Sequence, residues 1–258
     1  MSMPQPVTTQ SLTTLLSFPF RGAGWEKKLL VAALLSLAGM FTFGISQLFV
    51  IGYAARVMRK MIHDGGEPQL PDWDDWGGLI LDGFKIALAG GIYTLPVILS
   101  FTVGYIGMFM PIFLDAARGS DEFIGGAFLL SFGLFWLLFS LGMLLSILIG
   151  FILPPAIAHL VDRQSFTAAF SPRRWWPILR ANLGGFAVMY IMLLGLFGVI
   201  YVVYTLLMFT FVLCFLAPFI MLALSVYLIL ASAALVAQAY REGKGRLETA
   251  VGREMAAG

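Results

Sequence analysis

The sequence predicts an all-α, polytopic integral membrane protein, and three observations predict it. Hydrophobic residues make up 60% of the chain and charged residues only 12%, against roughly 25% charged in soluble domains, and the mean hydropathy is +0.91. Four windows, 29–55, 86–114, 123–158 and 181–240, contain no Asp, Glu, Lys, Arg or His. Each meets the ~20 apolar residues that a spanning helix needs, and the last is long enough for two passes. Finally, the polar residues gather in short segments between these windows. The expected architecture is four spanning helices plus an N-terminal segment that is either re-entrant or a fifth span, with amphipathic helices at the interface.

Three stretches follow from the same pattern. Residues 1–28 form an interfacial lead-in, 29–240 a membrane domain with cytoplasmic interfacial segments at 56–85 and 159–180, and 241–258 a polar tail expected to be loosely ordered. The net charge of +2 comes with no basic run, so nucleic acid is not an expected partner. The single cysteine, Cys214, lies inside an apolar window, which excludes a disulfide framework and a cysteine-based metal site. The start, MSMPQPVTTQ, has no Lys or Arg ahead of its apolar part and no evident small-residue cleavage site. The first window is therefore expected to stay in the mature protein.

In chain order, SFPFRGAGWEKK at 17–28 suits headgroup depth, with Phe18, Phe20 and Trp25 as anchors and Lys27 and Lys28 at the membrane edge. Residues 29–60 are then either one long tilted helix or two half-helices broken at GMFTFG, 39–44, that enter and leave on one side. If they span, the Lys and Arg residues divide twelve inside to four outside; if they are re-entrant, fifteen to one. The positive-inside rule favours the second.

Next comes the long polar window of the first half, RVMRKMIHDGGEPQLPDWDDWGGLILDGFK at 56–85. Arg56, Arg59, Lys60 and His63 recur at helical spacing and make a basic face; Tyr53, Val57, Met58, Met61 and Ile62 make the opposite, apolar one. Asp64-Gly65-Gly66 ends this helix, and Pro68 and Pro71 keep the following residues extended. A second surface helix is expected from about Trp73, with Asp75, Gly78, Asp82 and Lys85 on one face and Trp76, Leu79, Ile80, Phe84 and Ala87 on the other.

In the window 86–114, Ala87 and Gly91 allow close helix contact and Pro96 should kink the helix. The loop 115–122, with Arg118, lies outside. The window 123–158 crosses back and ends at Pro154-Pro155. DRQSFTAAFSPRRWWPILR at 162–180 is a second interfacial segment: Ser171-Pro172 reads as an N-cap followed by proline at the first helical position, Arg173, Arg174 and Arg180 face anionic lipid, and Trp175 and Trp176 anchor. Residues 181–240 fold back as a hairpin whose turn is placed at 204–211.

Four stretches, FPFRGAGWEKKLL near the start, GYAARVMRKM at 52–61, LPDWDDWGGLILDGFK at 70–85 and Tyr93-x-x-Pro96, resemble the prokaryotic membrane family catalogued as domain of unknown function 4013. The resemblance covers about the first 100 residues well and the rest in general layout. It implies a multi-pass protein of a bacterial or archaeal cytoplasmic membrane, and it implies no activity. Where the family leads one to expect Pro and Asn near the first helix break, this chain has Gly39 and Gly44.

Candidate chemistry is sparse. Asp72, Asp74 and Asp75, with Glu67 nearby, are oxygen ligands of the kind that hold Mg²⁺ or Ca²⁺, but no known metal spacing is met and a turn that caps the next helix explains them more simply. Asp82 and Lys85 read as an ion pair. His63 and His159 sit beside arginine-bearing membrane edges and read as surface residues. No nucleophile elbow or glycine-rich phosphate loop occurs, so neither a catalytic residue, nor a metal site, nor a cofactor is assigned.

The windows hold no ionisable residue, which argues against proton- or cation-coupled transport. A neutral or lipid-like solute would have Gln47, Thr94, Tyr105, Asn182, Tyr201 and Gln238 as polar contacts. The function expected is a non-enzymatic scaffold or subunit of a membrane complex. It would use Pro71, Trp73, Asp74, Asp75, Trp76, Asp82 and Lys85 toward a membrane-protein partner, and Arg56, Arg59, Lys60, Arg173, Arg174 and Arg180 toward anionic phospholipids of the bilayer. The alternatives are a carrier or channel for a neutral or lipid-like solute and, after it, a metal-dependent lipid-modifying enzyme using the three aspartates.

Overall fold

The structure, a computed structural model, describes residues 9–65, 67–118, 125–210 and 213–257. Its elements are helices: α1 (Thr9–Ser17), a 3-10 turn (Phe18–Phe20), α2 (Trp25–Phe41), α3 (Gln47–Asp64), α4 (Trp76–Arg118), α5 (Gly125–Arg163), α6 (Phe166–Ala169), α7 (Pro172–Ala181), α8 (Leu183–Phe209), a second 3-10 turn (Leu213–Phe215) and α9 (Ala217–Ala257). No strand occurs among the described residues. Four helices are long and apolar enough to cross a bilayer: Trp76–Leu114, Gly126–Arg163, Leu183–Phe209 and Ala217–Arg253. The chain is an all-α membrane protein of the expected class.

Residues 29–60 do not form one rod. α2 stops at Phe41, and Phe43 (φ 50°) and Gly44 (φ 84°) take successive left-handed conformations that turn the chain before α3 begins. Such backbone ends a helix because it swings the next peptide out of the hydrogen-bonded row. Lys28, near the start of α2, donates its ammonium to the Leu70 carbonyl beyond the end of α3 (2.8 Å). The outer ends of the two helices thus lie together, and the pair is a hairpin.

Contacts divide the chain into two compact units, Met1–Ala89 with Pro154–Gly258, and Gly90–Leu153. In the first, α9 is the central helix, packed against α1, α2, α3, α7 and α8. Small residues suit this close packing: Ala54 and Ala55 on α3 and Ala231, Ala234 and Ala237 on α9 are all buried and let backbones approach, while Gly52 of α3 lies against Leu79 of α4. Larger side chains, Val50, Tyr53 and Val57 from α3 and Leu230 and Tyr240 from α9, are buried in the same unit. The apolar face of α3 recognised in the sequence is therefore covered by protein.

The second unit is a helical hairpin from the later part of α4 and the earlier part of α5. Ser100 Oγ donates to the Leu138 carbonyl (2.7 Å), Phe101 packs on Phe139 and Tyr105 on Phe135 (both 5.3 Å between ring centres). The helices approach at Gly104 and Gly142, where Leu138 and Phe101 occupy the room a side chain would take. They do not approach at Gly91, where nothing stands within 4 Å of a Cβ position.

Several boundaries differ from expectation for identifiable reasons. The acidic motif does not open a separate surface helix: α4 runs unbroken for 43 residues from Trp76, because no helix breaker separates the motif from the apolar window. The tail is helical, since α9 continues to Ala257, and its Glu242 is buried in the first unit. α8 runs on to Phe209 and the chain turns through Thr210 and Leu213–Phe215, later than most of the 204–211 placement. The loop tip at 119–122 lies outside the described residues.

Candidate functional site

Two polar constellations form at the end of the first unit where α2, α4 and α8 begin and α3 and α5 finish. One is the acidic tryptophan motif. Gly65 (φ 69°) caps α3 in left-handed backbone, and the extended residues that follow turn back along it. Trp73 stacks on Tyr53 (4.1 Å, 7° between planes) and on Trp76 (5.6 Å, 25°), and Trp76 meets Phe49 edge-on (5.6 Å). Polar tips are satisfied as well: Trp73 Nε1 donates to the Lys28 carbonyl (3.0 Å) and the Tyr53 hydroxyl to the Pro71 carbonyl (2.7 Å). The motif clasps α2 to α3.

Its carboxylates each face a cation. Lys28 holds Asp72 at 2.9 Å, and by hydrogen bond and charge it keeps the Asp72 carboxyl below the usual carboxylate range. Arg56 binds both Asp74 and Asp75, the latter at 3.2 Å. Asp75 also accepts the Gly78 N–H (3.0 Å) and so caps α4. Asp82 pairs with Arg59 of α3 at 2.6 Å, across two helices, rather than with Lys85. The three aspartates considered as ligands are taken up by two cations, Asp72 by Lys28 and Asp74 and Asp75 by Arg56, and among the described residues no three His, Cys, Asp or Glu side chains gather where a metal could sit.

The basic residues thus fall into two sets. Arg56 and Arg59 are drawn inward, whereas Lys60, Arg173, Arg174 and Arg180 stand exposed. On α7 the sides are distinct. Pro172 occupies its first position as expected; Trp175 is buried with Nε1 donating to the Ala169 carbonyl (3.0 Å), and Trp176 is exposed beside the arginines.

The second constellation was not expected. His159 is a buried residue, 2% exposed, and not a surface one. Its Nδ1 lies 2.7 Å from Tyr240 Oη, which donates to Asp162 Oδ2 (3.2 Å). A phenol has one proton, so with Asp162 accepting it the imidazole must donate from Nδ1, and Nε2 is left as a buried acceptor without a partner. Lys244 reaches both Asp162 oxygens (3.1 and 3.2 Å), and His63 Nε2 stands 3.7 Å away. Alongside, buried Glu242 accepts from Gln238 Nε2 (3.0 Å) and Asn182 Nδ2 (3.3 Å), while Asn182 Oδ1 caps α8 by accepting the Gly185 N–H (3.2 Å).

This network joins α3, α5, α8 and α9. Its sequence signal is a pair of polar residues at helical spacing at the end of each of two apolar windows, His159 with Asp162 and Tyr240 with Lys244. Of the polar residues considered for transport, Asn182 and Gln238 meet at Glu242. Thr94 bonds to Gly90 of its own helix (2.9 Å), Tyr105 packs on Phe135 and Tyr201 is exposed. Nearby, Lys60, Met61, Asp64, Glu67 and Gln69 line an open groove of about 170 Å³.

Compared with known proteins, residues 34–209 match the pattern of the family described as Protein of unknown function (DUF4013). No curated protein and no solved structure matches the chain.

Proposed function

The chain belongs to the DUF4013 family of membrane proteins of unknown function, and from that premise we propose that it is a non-enzymatic scaffold or subunit of a membrane complex, seated on anionic phospholipid. The division of the basic residues carries this reading. Lys28, Arg56 and Arg59 hold the acidic motif in place, and the exposed arginines of α7, with Trp176 beside them, form a face that fits lipid phosphates at headgroup depth.

The same end of the first unit gathers the start of α2, the end of α3, the end of α5, the start of α8 and the end of α9. The Lys and Arg distribution, one basic residue (Arg118) in the loop 115–122 against fifteen elsewhere, supports a cytoplasmic side for this end and for the C-terminus in a prokaryotic plasma membrane. A membrane-protein partner would meet the outer side of the motif, where Asp72, Asp74 and Trp76 remain exposed.

The test is extraction in mild detergent followed by native mass spectrometry of the wild type and an Arg173→Gln, Arg174→Gln, Arg180→Gln variant. At about 1 kcal/mol per arginine, the variant should lose ~100-fold in affinity for phosphatidylglycerol or cardiolipin with its unfolding unchanged, and a stoichiometric protein should accompany both. Equal lipid retention would refute the lipid face. A solitary protein that moves solute across liposomes would replace the scaffold by a carrier.

A further inference from the structure

The turn between α2 and α3 combines two features that a water-exposed loop does not need together. Its surface is apolar and unpartnered: Met40, Phe41, Phe43 and Ile45 are all exposed, Phe43 completely. Most of its backbone N–H groups are nevertheless paired from within. The N–H of Thr42 donates to Ala38 O (3.0 Å), Gly44 to Gly39 O (2.8 Å), Ile45 to Thr42 O (3.0 Å), Gln47 to Gly44 O (3.0 Å), and Leu48 and Phe49 to Ile45 O and Ser46 O. The two hydroxyls of the turn also look inward, because Thr42 Oγ1 lies 3.0 Å from Ala38 O and 2.9 Å from Ser46 Oγ and accepts the Ser46 N–H (3.3 Å).

Water would serve these groups without any such arrangement, whereas hydrocarbon cannot. Irregular backbone at membrane depth persists only where its polar groups find partners in the protein. Depth agrees with this. From Leu29 to Phe41 α2 rises about 20 Å beyond the lysines at its start, and from Gln47 to Ala55 α3 rises about 13 Å before Arg56, lengths that bracket the ~15 Å half-thickness of a hydrocarbon core. Both arms lie along α9, a helix long and apolar enough to span.

We propose that the α2–α3 hairpin is a wedge: it enters the bilayer from the face that carries Lys27, Lys28, Arg56 and Arg59, ends near the midplane, and displaces acyl chains of that leaflet alone. The occupant of its exposed tip is lipid hydrocarbon. A wedge in one leaflet enlarges that leaflet, so the protein favours membrane that is convex on the hairpin side.

The experiment uses the full chain with Cys214→Ser and a reporter cysteine, Phe43→Cys or separately Ile45→Cys, labelled with a small fluorophore and reconstituted into vesicles. Nitroxide lipids labelled near the chain end should quench both probes more strongly than lipids labelled near the headgroup. Iodide, added outside or trapped inside, should leave both unquenched. Quenching by iodide from the cation-bearing side would put the tip in the headgroups, and quenching from the opposite side would make both arms of the hairpin cross the bilayer; either result overturns the wedge.

Discussion

Gly52 of α3 and Gly83 of α4 face each other's backbones, and the sign of a Gly52→Ala substitution depends on that approach. A Cβ added at Gly52 would stand 3.0 Å from Leu79 Cα and 2.7 Å from its carbonyl carbon. The Leu79 carbonyl oxygen stands closer still, and since carbon atoms prefer ~3.5–4.0 Å the helices must part by more than about 1 Å, an overpacking that costs ~1–3 kcal/mol. Parting also stretches the Arg59–Asp82 bond, now 2.6 Å and part-buried, which contributes of order 1–3 kcal/mol as a charged hydrogen bond. Opposing this, alanine is the better helix former by at most about 1 kcal/mol. The expected net loss is about 1–3 kcal/mol, measured by reversible denaturant unfolding in mixed micelles. Gly252→Ala on α9 supplies the control, since nothing lies within 4 Å of its Cβ position and propensity alone should act there. If Gly52→Ala unfolds at or above the wild-type midpoint, α3 and α4 do not touch as described.

Two further outcomes follow from the polar constellations. Tyr240→Phe removes the hydroxyl between His159 and Asp162, leaving buried polar groups without their partner, and should destabilise by ~1–3 kcal/mol in the same unfolding assay; an unchanged midpoint would mean that the bridge does not form. The Asp72 carboxyl titrates below its unfolded value, so the Lys28–Asp72 pair contributes stability at neutral pH and that contribution is lost as acid takes the pH below ~3.9 and through the lowered value. Asp72→Asn should flatten this part of the stability profile and leave the profile above pH 5 unaltered in slope, as followed by tryptophan fluorescence.

What could be read from the chain was set by local chemistry. The windows free of charge gave the spans, GMFTFG at 39–44 marked the hairpin turn, and Ser171-Pro172 marked the start of α7, because each depends on residues adjacent in sequence. The face of α3 could be recognised as apolar, yet lipid and the alanines of α9 select for the same pattern, so its covering could not be named. Which residues pair across long separations was not legible: Tyr240 meets His159 81 residues away, and the Tyr227 hydroxyl donates to the Leu16 carbonyl 211 residues away. The acidic motif was legible as a motif but not in its allegiance. Aspartates that suggest a ligand set on paper become counter-ions once α2 and α3 bring Lys28, Arg56 and Arg59 beside them.

The central position of α9 has a consequence for how the protein is made. A ribosome delivers α2 and α3 long before the helix packed against both, and until then the α9 side of the pair is uncovered. The early segments must wait, held by lipid, by the insertion machinery or by each other, while more than 150 residues are added. Completion of the last helix is thus the event that closes the assembly, so a chain stopped short of residue 217 would present an unsealed α3 to the cell's proteases, and the commitment to the native state comes only at the end of synthesis.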